Sequence, residues 1–233
     1  MQSTSTGNRR ALLLDALGTL LALQAPAPVL RHELRARFGV RLTLAETEAG
    51  LAAEISYYRA HLQDGRDPES LHALRRRCAR VLADALPPSP QLAQAGDGEL
   101  TDALLASLRF AAFPDARQAV LAARERGERV VVVSNWDVSL PEVLERLELA
   151  PLLHGVVTSA QAGARKPSPA IFLAALELAG TGPEHATHVG DSLEEDVAGA
   201  LSAGVEPVLV RRGGAPGPPG VRTIASLAEL AGP

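Results

Sequence analysis

The chain has one lysine, one cysteine, one methionine and one tryptophan among its 233 residues. The lone cysteine, Cys78, rules out an intramolecular disulfide and a cysteine-built zinc site, and it fits a reducing, cytoplasmic compartment. Aromatic residues are scarce at 3%, whereas hydrophobic residues reach 46%, so a core of ordinary size has to be filled by Leu, Ala and Val. No apolar run approaches the roughly 18 residues of a membrane span, which argues against a membrane partner. An excess of positive charge is missing too. The net charge is −4, and no stretch is basic enough to neutralise phosphates, which argues against a nucleic-acid partner. Arg serves at every other basic position, so the exception, Lys166, calls for a chemical explanation.

Arg9-Arg10 precede an apolar run, Ala11 to Leu23, and Ala25-Pro26-Ala27 resembles a cleavage site. Asp15 lies inside that run and Gly18-Thr19 interrupt it, so a signal peptide is the weaker reading. Five short aliphatic runs read instead as buried strands: Ala11–Leu14, Arg129–Val133, Gly155–Thr158, Ala186–Val189 and Pro207–Val210. Helical patterns lie between the later ones. Ser139 with Glu142 has the spacing of a capping box opening Pro141–Leu149, and Ser226 with Glu229 repeats it near the end. Ser168-Pro169 supplies an N-cap and a first-turn proline for Ala170–Ala179, which Gly180 then stops. Alternation of this kind predicts an α/β fold, a Rossmann-like parallel sheet with helices on both faces.

Residues 25–109 differ. They show no strand and read as helices over Val29–Phe38, Leu44–Gln63, Pro68–Leu86 and Glu99–Leu108, broken by Pro87-Pro88-Ser89-Pro90 and Gly96-Asp97-Gly98. The organisation expected is an α/β core from 1–24 and 110–233 with a small all-helical cap inserted at 25–109.

Ligands of an open parallel sheet bind beyond the carboxyl ends of its strands, and polar residues stand at those ends. Asp15 follows the first strand and is trailed by Gly18-Thr19; a strand-ending Asx turn would look the same. Ser134-Asn135 follow the second, where a hydroxyl and the next backbone N–H can hold a phosphate oxygen or simply form a polar turn. Lys166 sits beside a helix N-terminus, a suitable place for an anion, unless it is an ordinary surface lysine. Asp191 follows Gly190, with Glu194, Glu195 and Asp196 close behind. Clustered carboxylates suit a hard divalent cation, and they also suit the first turn of a helix, whose dipole they complement.

Taken in order, these segments resemble the motifs of the haloacid dehalogenase-like superfamily. Asp15-Ala-Leu-Gly-Thr19 is similar to its Asp-x-Asp-Gly-Thr motif, Ser134-Asn135 to the second, Lys166-Pro167 to the third, and Gly190-Asp191 with Asp196 to the fourth, in the form used by magnesium-dependent members. The helical insert resembles the family's cap. The resemblance implies a hydrolase with Asp15 as covalent nucleophile and Lys166 and Ser134 binding the transferred phosphoryl group. It implies that Thr19 and Asn135 line the phosphate site or, for Thr19, orient Asp15. Mg²⁺ would be held by Asp15, the backbone carbonyl of Leu17 and Asp191, with Asp196 in the outer shell. The substrate would be a small phosphorylated metabolite, and the protein a monomer or homodimer.

One departure stands out. Family phosphatases carry a second Asp where this chain has Leu17, and that residue protonates the leaving alkoxide and later activates water. A phosphatase specialised for acidic leaving groups, a 2-haloacid dehalogenase that attacks carbon, and a catalytically impaired interaction protein all remain open on the sequence. A phosphonatase would need a lysine in the cap, and none is there. Among the remaining polar residues, the six histidines show no metal-ligand spacing. Tyr57 and Tyr58 are read as cap packing, Trp136 as a wall of the pocket, Asp137 as the cap of the turn after it, and His188 is left without a role.

Overall fold

The computed structural model describes residues 10–231, so Arg9 of the N-terminal motif lies outside the described residues. Two compact units emerge. One runs to Ala22 and resumes at Ala111, and the other is Leu23–Phe110.

The first unit is built on a six-stranded sheet in the order β5-β4-β1-β6-β7-β8. Its strands are β1 (Ala11–Leu14), β4 (Arg129–Ser134), β5 (Gly155–Thr158), β6 (Ala186–Gly190), β7 (Glu206–Val210) and β8 (Arg222–Ile224), and every pairing is parallel. The apolar run that imitates a signal peptide therefore supplies the central strand. Parallel strands are covered on both faces, which is why β1 and β4 read as unbroken Ala, Leu and Val rather than alternating. Leu13, Val131 and Val133 pack against Ile171, Phe172, Ala175 and Leu176 of the helix Pro169–Ala179. On the other face β4 meets the helix Ala116–Glu125, whose Ala116, Val120 and Ala123 are buried. Chain order reverses at β1, which lies between β4 and β6, and such switch points open a crevice at the carboxyl ends of the strands. The short segments β2 (Leu21–Leu23) and β3 (Phe110–Ala112) pair with each other where the chain leaves and re-enters this unit.

Local signals account for most boundaries. Ser168 accepts from the Ala170 N–H with Pro169 in the first turn, and Gly180 closes the same helix at φ 68°. The capping box expected at Ser139 does not form. Asp137 instead accepts the Ser139 N–H at 2.7 Å and caps the turn from outside, the role read for it in the sequence. Near the C-terminus Glu229 does reach back to the Ser226 N–H at 2.9 Å, but the segment Leu227–Ala231 is a 3₁₀ turn rather than an α-helix.

The second unit is helical: α1 (Pro26–Phe38), α2 (Leu44–His61), α3 (Pro68–Ala85), α4 (Pro90–Gln94) and α5 (Asp97–Ser107). Helix α4 occupies what reads as a proline-rich break. Ser89 accepts from the Leu92 N–H and Pro90 takes the first turn, so this proline opens a helix instead of ending one. Capping boxes at Thr43 and Asp67 open α2 and α3. Leu30, Leu34, Leu51, Leu74, Leu82, Leu100 and Leu104 form the core, each contributing about 1.5–3 kcal/mol of burial.

Within that core α2 buries one carboxyl, Glu54, which is 4% exposed and partnered by Cys78 of α3. Burial lifts its pKa to about 7, while the Cys78 hydrogen bond works the other way. A carboxyl whose folded pKa is raised binds its proton more tightly in the native state. The contribution of Glu54 to stability is therefore greatest below its unfolded value of about 4.5, declines as pH rises towards 7, and is level above. Glu54→Gln should remove that decline. Thermal melts should show the variant matching its parent near pH 4.5 and exceeding it above pH 7 by on the order of 2–3 kcal/mol; equal melting temperatures across the range would contradict the assignment.

Candidate active site

Register places the key side chains. Leu14 of β1 pairs with Val132 of β4 and Val189 of β6, so Asp15, Ser134 and Asp191 all emerge at one edge of the sheet. Asp15 is 5% exposed and its backbone N–H donates to the carbonyl of Val189 at 2.9 Å. Ser134 Oγ donates to Asp15 Oδ1 at 3.0 Å, and Lys166 Nζ donates to the same oxygen at 2.6 Å. Lys166, the one lysine, is 1% exposed and also pairs with Asp196 Oδ1 at 2.5 Å. It is thus a buried cation bridging two carboxylates, not a surface lysine.

Asn135 explains how Lys166 is aimed. Its Oδ1 accepts the Lys166 N–H at 2.8 Å, and its Nδ2 donates to the Lys166 carbonyl at 3.1 Å. The side-chain amide thus holds the lysine backbone through its oxygen and one of its two N–H groups. For Thr19 one of its two expected roles is disfavoured. It is fully buried, yet among the described residues its hydroxyl has no hydrogen-bond partner, so it does not orient Asp15. A buried hydroxyl left in this way is a donor in want of an acceptor.

Asp196 belongs to a short π-helical turn, Leu193–Val197, that continues into the helix Ala198–Ser202. Its Oδ2 accepts the Ser192 N–H at 2.9 Å, and its Oδ1 contacts both Lys166 and His188 Nε2, the latter at 2.9 Å. His188 is fully buried in β6 and edge-on to Phe172. Against an ionised carboxylate its Nε2 is the donor, which makes the ring the neutral Nε2–H tautomer. Three donors thus converge on Asp196. His188 carried a signal that the sequence reading left unused: an imidazole set within a buried strand must find a partner.

Two glycines make the approach possible. Gly18 has φ 85°, and a Cβ there would run into the Asp191 carboxylate; at Gly190 a Cβ would run into Asp196. Two arginines, also unread in the sequence, hold the loops from behind. Arg211 donates to the Asp191 carbonyl at 2.9 Å. Arg212 donates to the carbonyls of Gly18 (3.3 Å) and Thr19, pairs with Asp115 at 3.0 Å, and lies over the Phe113 ring. Asp115 in turn accepts from Ser226 Oγ and the Leu227 N–H, and its pKa stays low because these bonds and Arg212 outweigh its partial burial.

Electrostatics divide the carboxyls. Burial pushes Asp15 up to about 7, against the pull of Lys166 and with help from Asp196. Burial, then Asp196, also raises Asp191. Asp196 is buried as well, but Lys166 and His188 hold it far below the ordinary carboxylate range. For Lys166 burial opposes the charge, and Asp15 and Asp196 more than restore it. His188 is lowered by burial despite Asp196. One lysine thus faces three acids whose oxygens lie within 4.8 Å of one another. Hard oxygen donors with surplus negative charge fit a divalent cation. Asp15 and Asp191 are able to coordinate it, whereas Asp196 has its oxygens committed elsewhere. Leu17 is half-buried, and its backbone bridges to Leu21.

A family model described as haloacid dehalogenase-like hydrolase matches residues 9–204. The chain is 35% identical over 214 residues to a glyceraldehyde 3-phosphate phosphatase from Methanopyrus kandleri, covering 88% of this chain and 84% of the relative. Its structure resembles that of an HAD phosphatase from Thermococcus onnurineus, with TM-score 0.66, 26% identity and 95% of each chain covered. It shares its fold with a 2-haloacid dehalogenase from Pseudomonas syringae pv. tomato, at TM-score 0.65, 23% identity and coverage of 95% and 96%. Motif order, the carboxylate–lysine cluster and these similarities lead to one conclusion: the chain belongs to the haloacid dehalogenase-like hydrolases.

Proposed function

We propose that the protein is a Mg²⁺-dependent phosphatase of a small phosphorylated metabolite, acting through a phosphorylated Asp15. The observation that carries this reading is the cluster of half-buried Asp191 with buried Asp15 and Asp196, the last two both paired with Lys166. A dehalogenase attacking a carboxylate substrate gains nothing from the extra charge of Asp191, whereas a phosphatase uses it to hold a cation. The phosphatase names of the Methanopyrus and Thermococcus proteins support the same choice.

Asp15 attacks phosphorus through a carboxylate oxygen. Both its hydrogen bonds land on Oδ1, which fixes the side chain and leaves Oδ2 to react. Lys166 and Ser134 bind the equatorial oxygens of the phosphoryl group, and the Thr19 hydroxyl and Asn135 N–H complete the cradle. Asp15, Asp191 and the Leu17 carbonyl would hold Mg²⁺, with Asp196 behind them. When bound, the ion screens the repulsion between phosphate and carboxylates and stabilises charge in the transition state. Residues 1–24 and 110–233 form the catalytic core in this reading, and 25–109 the cap that selects substrates. Among the described residues no helix is long and apolar enough to cross a membrane. We place the enzyme in the cytoplasm, as a monomer or homodimer without nucleic-acid or membrane partners.

Mg²⁺-dependent release of p-nitrophenol from p-nitrophenyl phosphate should be measurable and should vanish in Asp15→Asn. Halide release from a 2-haloacid without metal, and no phosphate turnover, would instead make the protein a dehalogenase. Gly18→Ala should weaken Mg²⁺ binding at least tenfold by calorimetry, because the added methyl displaces the Asp191 carboxylate and the residue is strained at positive φ. Unchanged affinity would remove Asp191 from the metal site.

A further inference from the structure

By its place in the family's first motif, Leu17 stands where family phosphatases carry the Asp that gives a proton to the leaving group and later takes one from water. Its place is fixed: the Gly18 N–H donates to the Leu21 carbonyl, and the N–H groups of Leu20 and Leu21 both donate to Ala16. An aliphatic side chain there transfers no proton. Several other acids of the sheet unit near these loops are already engaged. Asp196 has three donors, Asp115 is tied to Arg212 and Ser226, Asp137 caps Ser139, and Glu195 pairs with Arg165 at 3.4 Å. Asp191 is packed onto Gly18, in the metal site of the phosphatase reading.

We propose that Leu17 separates the reaction into a selective first half and a slow second half, so that the enzyme takes phosphates with acidic leaving groups and accumulates phosphorylated Asp15. The inference rests on the phosphatase reading. In the first half a bond forms from Asp15 Oδ2 to phosphorus and the bond from phosphorus to the leaving oxygen breaks, that oxygen departing with the electron pair and no proton. A carboxylate, whose acid has a pKa of about 4, or a phenolate, at about 10, leaves readily in this way. An aliphatic alkoxide has a conjugate acid close to water, at about 15.7, and does not. The substrate class is therefore acyl and aryl phosphates. In the second half the oxygen of water bonds to phosphorus and the pair of the P–O bond returns to Asp15. Inorganic phosphate leaves with the hydrogens of the water, one passing to solvent at neutral pH. The leaving group is now the Asp15 carboxylate and needs no acid, but the water lacks a base. General acid–base help of this kind is worth about 10²–10⁴ in rate, and its loss falls on the same step for every substrate.

The test is rapid-quench kinetics of the full chain with Mg²⁺. With p-nitrophenyl phosphate it should release one nitrophenolate per site in a burst before slow turnover. Quenched protein should carry one phosphoryl group, mapped by mass spectrometry to Asp15. Across acetyl phosphate, p-nitrophenyl phosphate, phenyl phosphate and glycerol phosphate, the phosphorylation rate should fall as leaving-group pKa rises, while kcat is shared by the reactive members. Leu17→Asp should abolish the burst, raise kcat about 10²-fold or more and flatten the dependence. Turnover of the wild type without burst or phosphoprotein, at rates indifferent to the leaving group, would overturn the proposal by showing that another group moves the proton. Neither turnover nor phosphorylation with any of the four would overturn the phosphatase reading itself.

Discussion

Everything in the site depends on a single buried ammonium. Lys166 sits between Asp15 and Asp196 with almost no exposure. Alone, its charge could not remain at that depth, and neither could the two carboxylates. Together they persist because the ammonium serves as counter-charge to both carboxyls and they to it. Taking one member out of such a set leaves its partners stranded, at a cost of about 3–5 kcal/mol. The surrounding structure serves this arrangement. Asn135 fixes the lysine backbone, His188 and Ser192 hold Asp196, and glycines at 18 and 190 keep space for the carboxylates.

Much of this was legible in the sequence. β1 and β4 were readable because buried parallel strands are unbroken aliphatic runs. Asp15, Ser134, Lys166 and Asp191 were readable because each stands where a strand ends or a helix begins, and parallel topology gathers such positions at one edge. What escaped notice had no such address. His188 lies inside a strand, and only its burial shows that it must be hydrogen-bonded. Arg212 sits just beyond β7 beside a second arginine, and nothing local says that it reaches back to the nucleophile loop. The three-residue strands β2, β3 and β8 are too short to carry a period. Pro90 looked like a breaker because proline starts and stops helices with the same side chain, and only the cap distinguishes the two. Ser139 misled for a related reason: its spacing to Glu142 was right, but Asp137 reached the amide first.

The nucleophile loop also shows how distant segments share one task. The Gly18 and Thr19 carbonyls are fastened by Arg212, which is fastened by Asp115, which also receives Ser226 and Leu227. Residues separated by about two hundred positions thus define the backbone beside Asp15. Arginine suits this link because its planar fork bonds carbonyls and a carboxylate at once while its face rests on Phe113.

The scarcity of lysine has a further consequence for the outside of the molecule. With its only ε-amine locked in the interior, the described surface offers no lysine side chain, so succinimidyl dyes and amine-directed crosslinkers find no lysine to attack. The basic side chains left to the described surface are arginines and histidines, whose chemistry such reagents do not target.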